Sequence, residues 1–138
     1  MPRILLVDDD PDILETLRYS FEHAGFEVET AADGHAALQV ARQRPPALAV
    51  LDVMLPELNG YEVSRTLKQE MHTGSLAPFP IVIVTARRVA SAARQEFLAT
   101  WSQADATLWK PFDLGTLMNQ ARNLLAAVPA GAPGGGRA

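Results

Sequence analysis

An α/β fold, with a parallel β-sheet covered on both faces by helices, is predicted by three features of this 138-residue sequence. Short, wholly apolar runs at Ile4 to Val7, Ala47 to Leu51 and Ile81 to Val84 have the character of strands buried on both faces. Between them lie segments whose apolar residues recur every three or four positions, the pattern of helices that cover such a sheet. Each run also stops at polar residues: Asp8, Asp9 and Asp10, then Asp52, then Thr85, while the run Ala106 to Trp109 stops at Lys110. Ligand crevices of open parallel sheets lie beyond the carboxyl ends of the strands, so these groups converge at one edge. Carboxylates, a hydroxyl and an ammonium gathered there point to a divalent metal and a phosphoryl group.

The elements follow in order. After the first strand, Asp10 caps a helix that has Pro11 at its first position and Asp12 next, all favourable at the positive end of a helix dipole. Ile13, Leu17 and Phe21 recur every four residues, with Leu14 beside them, until Gly25 supplies a stop. Glu27 to Ala31 alternates weakly as a second strand, Asp33 and Gly34 make a turn, and Ala36 to Arg42 reads as a short helix ending before Pro45 and Pro46. The third strand is Ala47 to Leu51. A loop through Pro56, Asn59 and Gly60 leads to a helix carrying Val63, Leu67 and Met71, and His72 to Pro80 forms a longer connection. Ile81 to Val84 is the fourth strand, an alanine-rich helix spans Val89 to Ser102, and Ala106 to Trp109 is the fifth strand. Asp113 opens a last helix in which Leu114, Leu117, Met118, Ala121, Leu124, Leu125 and Val128 form the clearest amphipathic pattern in the chain. Residues 129–138, PAGAPGGGRA, have too few apolar groups to join a core and are predicted as a flexible tail or linker start, leaving 1–128 as the folded domain.

Composition narrows the function classes. Hydrophobic residues at 48% and charged residues at 20% describe a globular chain that buries a core without disulfides. A net charge of -4 provides no overall basic field for nucleic acid. The absence of cysteine removes disulfides, thiolate catalysis and zinc thiolate sites, and is compatible with a reducing cytosol. No run approaches the roughly 18 apolar residues of a membrane span. Met1, Pro2 and Arg3 lead straight into a strand, unlike a secretory signal, so a cytoplasmic location is expected.

Taken together, VDDD at Val7 to Asp10, LDVMLPELNG at Leu51 to Gly60, VTA at Val84 to Ala86 and KPF at Lys110 to Phe112 carry a family resemblance. Over about Arg3 to Val128 the chain resembles the receiver domain of two-component response regulators. The resemblance implies a flavodoxin-like, doubly wound sheet of five parallel strands in order 2-1-3-4-5 with five helices. Asp52 matches the phosphoryl acceptor, and a carboxylate is a competent nucleophile toward phosphorus activated as phosphohistidine. Asp8 and Asp9 match the pair that holds Mg²⁺ together with Asp52 and the backbone carbonyl of Met54. Thr85 matches the hydroxyl that binds a phosphoryl oxygen, and Lys110 the lysine that offsets its charge, aimed inward by a cis bond to Pro111. The implied partner is a sensor histidine kinase or phosphotransfer protein. The expected role is a switching binding module with its own phosphotransfer and autodephosphorylation, not an enzyme with independent turnover. It is either a stand-alone adaptor or the receiver of a longer regulator, and homodimerisation stays open.

Simpler readings apply to single residues. Asp10 is a helix cap, and His23, His35, His72, Arg87, Arg88 and Arg94 read as solvated surface. The pattern departs from the family at Thr107, where many receivers carry an aromatic that turns inward on phosphorylation. Trp109 lies on the same strand face and is either a partial substitute or, as the favoured reading, a packed surface aromatic. The connections before the fourth strand and between Thr85 and Lys110 are longer than usual. Three rivals remain: a haloacid-dehalogenase-like phosphotransferase, opposed by Met54 where a second aspartate is needed; a flavin module, opposed by the lack of a Ser/Thr/Gly-rich phosphate loop; and a receiver that switches without phosphorylation.

Overall fold

A computed structural model describes residues 2–86, 92–110 and 113–127. The expected positions of Arg87, Arg88, the first residues of the fourth helix, the bond to Pro111, Phe112, Val128 and the tail lie outside the described residues. Strands β1 (Arg3–Val7), β2 (Glu27–Ala31), β3 (Leu48–Asp52), β4 (Ile81–Ala86) and β5 (Ala106–Lys110) alternate with helices α1 (Pro11–His23), α2 (Gly34–Gln43), α3 (Gly60–His72), α4 (Ala92–Ser102) and α5 (Leu114–Ala127). All pairings are parallel and the sheet order is β2-β1-β3-β4-β5, as the resemblance implied. The connection leaving β1 therefore runs to one side, to β2, and the connection leaving β3 runs to the other, to β4, which places the switch point of the sheet between β1 and β3.

The apolar strands are buried on both faces because each face has its own core. Leu5, Val7, Ala49, Leu51, Ile81 and Ile83 pack toward α2 and α3. The alternate residues Ile4, Leu6, Leu48, Val50, Val82 and Val84 pack with Leu17 and Phe21 of α1 and Leu117, Met118 and Ala121 of α5. The period of two thus divides one apolar run between two cores. Phe21 is fully buried and meets Phe26 edge to face at 5.8 Å. Phe21→Ala is expected to cost about 3–5 kcal/mol, read as a lower denaturant midpoint with an unchanged slope.

Local signals explain the helix ends. The Asp10 side chain accepts from the Asp12 N–H at 2.9 Å, and Gly25 ends the α1 turn at φ +99°. Asp33 and Gly34 are not a free turn. Asp33 accepts from the Ala36 N–H at 2.8 Å, so α2 begins at Gly34, ahead of the expected start at Ala36. Glycine is required there, since a Cβ would collide with the Leu58 carbonyl. α3 begins with a reciprocal capping box: Asn59 accepts from the Glu62 N–H and Glu62 accepts from the Asn59 N–H, each at 3.0 Å. The Asn59–Glu62 spacing was present in the sequence, where it reads only as loop. α5 is less sharply amphipathic than α2 or α3, contrary to expectation, because exposed Ala126 and Ala127 sit on its solvent side.

Candidate functional site

The predicted polar residues meet at the carboxyl end of the sheet. Asp52 is the last residue of β3, Lys110 the last of β5, and Asp8 and Asp9 follow β1 directly. Asp8 and Asp52 are buried, whereas Asp9 is exposed. Each of the three offers a carboxylate oxygen within 4.8 Å of the others. The Asp8 carboxylate is oriented by the Asp10 N–H at 2.9 Å, so the same short loop caps α1 and aims an acid at the crevice. Lys110 Nζ donates to Asp52 Oδ1 at 3.2 Å. Thr85 is buried at the end of β4, one residue beyond the Val84 that pairs with Asp52. Met54 lies on the loop after β3 with its side chain exposed. A cavity of about 680 Å³ extends from Asp8, Asp52 and Lys110 along Ile13 and Leu17 of α1, giving room on that side for a group approaching Asp52.

Charge is unbalanced at this cluster. Burial raises the Asp8 carboxyl above its ordinary value, and the Asp52 and Asp9 charges push the same way, while the Asp10 N–H and Lys110 pull back. Three carboxylates face one ammonium among the described residues, and an all-oxygen donor set suits a hard divalent cation such as Mg²⁺. Because its folded pKa is raised, protonated Asp8 favours the metal-free fold at low pH, and this contribution is lost as pH rises through the folded value. Asp8→Asn is accordingly expected to raise the metal-free melting temperature at neutral pH and to flatten its fall between acid and neutral pH. It should also remove most of the stabilisation by Mg²⁺, which for a one-site ligand reaches about 2.7 kcal/mol at a hundredfold excess over Kd. Thermal melts with chelator and with Mg²⁺ check both.

One position gained importance only in three dimensions. Gly60 packs against the backbone of Asp52, and a Cβ there would collide with the Asp52 carbonyl. No local signal distinguishes it from the loop glycine its Asn-Gly setting suggests. Trp109 pairs in register with Thr85, and Thr107 with Ile83, so the tryptophan rather than Thr107 lies level with the site hydroxyl. His23, His35 and His72 are exposed, as expected, with His23 stacked on Tyr19 and His35 facing Glu57.

A doubly wound α/β domain with an acidic, lysine-flanked crevice at its switch point is the class these features define. Residues 4–122 match the family described as the response regulator receiver domain, and the chain belongs to that family. Response regulator MprA of Mycobacterium leprae is 46% identical over 124 residues, 89% of this chain and 50% of that protein. The DNA-binding dual master transcriptional regulator RpaA of Synechocystis is 38% identical over 125 residues, 91% of this chain and 49% of that protein. The chain thus spans about half the length of these curated relatives. Among solved structures, the receiver domain of a signal transduction histidine kinase from Syntrophus aciditrophicus aligns with a TM-score of 0.82 at 28% identity, covering 93% of this chain and 92% of that one. The chemotaxis protein CheY4 of Vibrio cholerae aligns at 0.76 and 27% identity, covering 90% and 98%. Family membership sets aside the dehalogenase-like and flavin readings.

Proposed function

We propose that this receiver accepts a phosphoryl group on Asp52 from a histidine kinase or phosphotransfer protein, with Mg²⁺ required. The observation that carries the reading is the buried Asp52 carboxylate held by Lys110 at 3.2 Å beside Asp8 and Asp9. In the proposed transfer a carboxylate oxygen of Asp52 forms a bond to phosphorus as the phosphorus–nitrogen bond of a donor phosphohistidine breaks, and the leaving imidazole takes up a proton. Lys110 and the Thr85 hydroxyl bind phosphoryl oxygens, and Asp8, Asp9, Asp52 and the Met54 carbonyl hold the cation. The cation supplies charge neutralisation, without which these carboxylates repel an incoming phosphate. Autodephosphorylation is the only turnover this reading assigns to the chain.

The phosphoryl group then shifts the population of surfaces near Thr85 and α4. With Thr107 at the usual aromatic position, the proposal extends to Trp109, in register with Thr85, as a partial substitute in the switch, against the reading of it as a packed surface aromatic. A fluorescence change on phosphorylation that survives Trp101→Phe and vanishes in Trp109→Phe is the expected result, and no change in either variant contradicts it. RpaA is described as DNA-binding and is about twice the length matched here. The proposal therefore includes two settings, a stand-alone adaptor or the receiver of a longer regulator whose other part contacts DNA. A net charge of -4 favours no direct contact with nucleic acid by this chain. No described helix is long and apolar enough to cross a membrane, and a cytoplasmic location fits a kinase partner.

Intact mass after incubation with acetyl phosphate tests the function. One added phosphoryl group that requires Mg²⁺ supports it. No addition to folded protein, from acetyl phosphate or from a panel of histidine kinases, favours a receiver that switches without phosphorylation.

A further inference from the structure

The register of β5 on β4 decides where Lys110 stands. Val82 pairs with Ala106, and the ladder runs on to Thr85 with Trp109 and Ala86 with Lys110. β5 is an edge strand of the sheet and pairs with β4 alone. All five of its residues are half-buried, so burial contrasts its two faces poorly, and register is weakly specified where no face is clearly the buried one. A slip of one residue would carry Lys110 about 3.3 Å along the strand and turn its side chain to the other face, out of reach of Asp52. At the opposite end of the same strand pair, Asp105 grips Ile81 at two points. The Asp105 N–H donates to the Ile81 carbonyl at 2.8 Å, and Asp105 Oδ2 accepts from the Ile81 N–H at 2.7 Å. Ile81 is fully buried and the β5 ladder starts only at Ala106, so the carboxylate takes the place of a strand neighbour for that N–H. The same oxygen accepts from Lys68 Nζ of α3 at 2.6 Å, and Lys68 also donates to the Phe79 carbonyl at 3.3 Å. Only 16% of the Lys68 side chain is exposed, so the ammonium is fixed from α3 and fixes the carboxylate in turn. These contacts fit one register, since a slip of β5 would draw the carboxylate away from both Ile81 and Lys68.

We infer that Asp105, oriented by Lys68, is a positioning residue for phosphoryl transfer, locking β5 in register on β4 and thereby setting Lys110 beside Asp52. The inference rests on the role proposed above for Lys110 at Asp52. Asp105 touches no reacting group. It acts from the amino end of a strand whose carboxyl end delivers the ammonium, 3.2 Å from Asp52 Oδ1. The carboxylates that would hold the cation, Asp8, Asp9 and Asp52, stand at the ends of β1 and β3, neither of which pairs with β5. The clamp therefore governs the ammonium and leaves the cation site alone.

Asp105→Ala in the full chain tests the clamp. Phosphoryl incorporation from acetyl phosphate is expected to slow about tenfold, the scale of leaving one buried N–H unpaired, while Mg²⁺ affinity by calorimetric titration stays within about twofold of the wild type. Asp105→Asn keeps an acceptor for the Ile81 N–H and loses the ion pair, and Lys68→Met loses the orienting cation, so each is expected to slow incorporation about threefold. If Asp105→Ala fails to fold, these two variants carry the comparison. Cross-strand amide NOEs that pair Thr85 with Trp109 and Ala86 with Lys110 read the register itself, and are expected in the wild type and weakened in the variants. Unchanged NOEs, wild-type rates in folded variants, or an Mg²⁺ affinity that falls as far as the rate would each overturn the inference. A wild-type protein that takes up no phosphoryl group would instead overturn the role proposed for Asp52, and the NOEs alone would then decide whether Asp105 sets the register.

Discussion

Asp52→Asn is expected to abolish phosphoryl incorporation, a loss of at least about a thousandfold, without unfolding the domain. The amide oxygen can still accept the hydrogen bond that Lys110 donates to Asp52 Oδ1, so the local geometry survives. It is no longer a nucleophile. The substitution also removes one of the charges that raise the Asp8 carboxyl. In chelator the variant should therefore melt no lower than the wild type, while its stabilisation by Mg²⁺ falls sharply. A variant that melted well below the wild type would show that Asp52 is structural rather than poised for chemistry.

Gly60→Ala is expected to damage both the fold and the site. The added Cβ would meet the carbonyl oxygen and carbon of Asp52 and the Cα of Val53, all backbone atoms that cannot swing away. Overpacking of this kind costs up to about 3 kcal/mol, and relief requires the β3–α3 loop to move Asp52. Stability and phosphoryl incorporation should fall together. Gly25→Ala provides the contrast. Its Cβ would enter open space, and the cost comes from φ +99° alone, about 1–2 kcal/mol. That variant should lose stability and keep full incorporation. Equal incorporation by the two variants, relative to folded protein, would contradict the positioning role of Gly60.

The fold was legible because its signals are local and strong. Runs such as Ile4 to Val7 have no polar residue to betray an exposed face, and Asp10-Pro11, Gly25 and Asp113 mark helix ends by mechanisms that act within a few residues. Helix α2 starts two residues ahead of the sequence expectation because Asp33-Gly34 is equally good turn chemistry, and only the approach of Leu58 decides between turn and cap. The cluster of Asp8, Asp9, Asp52 and Lys110 was legible for a topological reason, since parallel strands deliver their carboxyl ends to one edge. What escaped the sequence is side-chain traffic between elements distant along the chain. Ser64 and Arg65 look like ordinary polar helix residues until α4 is laid beside them. Gly60 looks like a turn residue until its distance from Asp52 is seen.

The most direct test of the central claim is the position of the modified residue. Protein treated with acetyl phosphate and Mg²⁺, then reduced with borohydride, converts an aspartyl phosphate to homoserine, which peptide mass spectrometry locates. Homoserine at position 52, dependent on Mg²⁺, is the predicted result. Homoserine at Asp8 or Asp9, or none in protein that has gained the mass of a phosphoryl group, would contradict it.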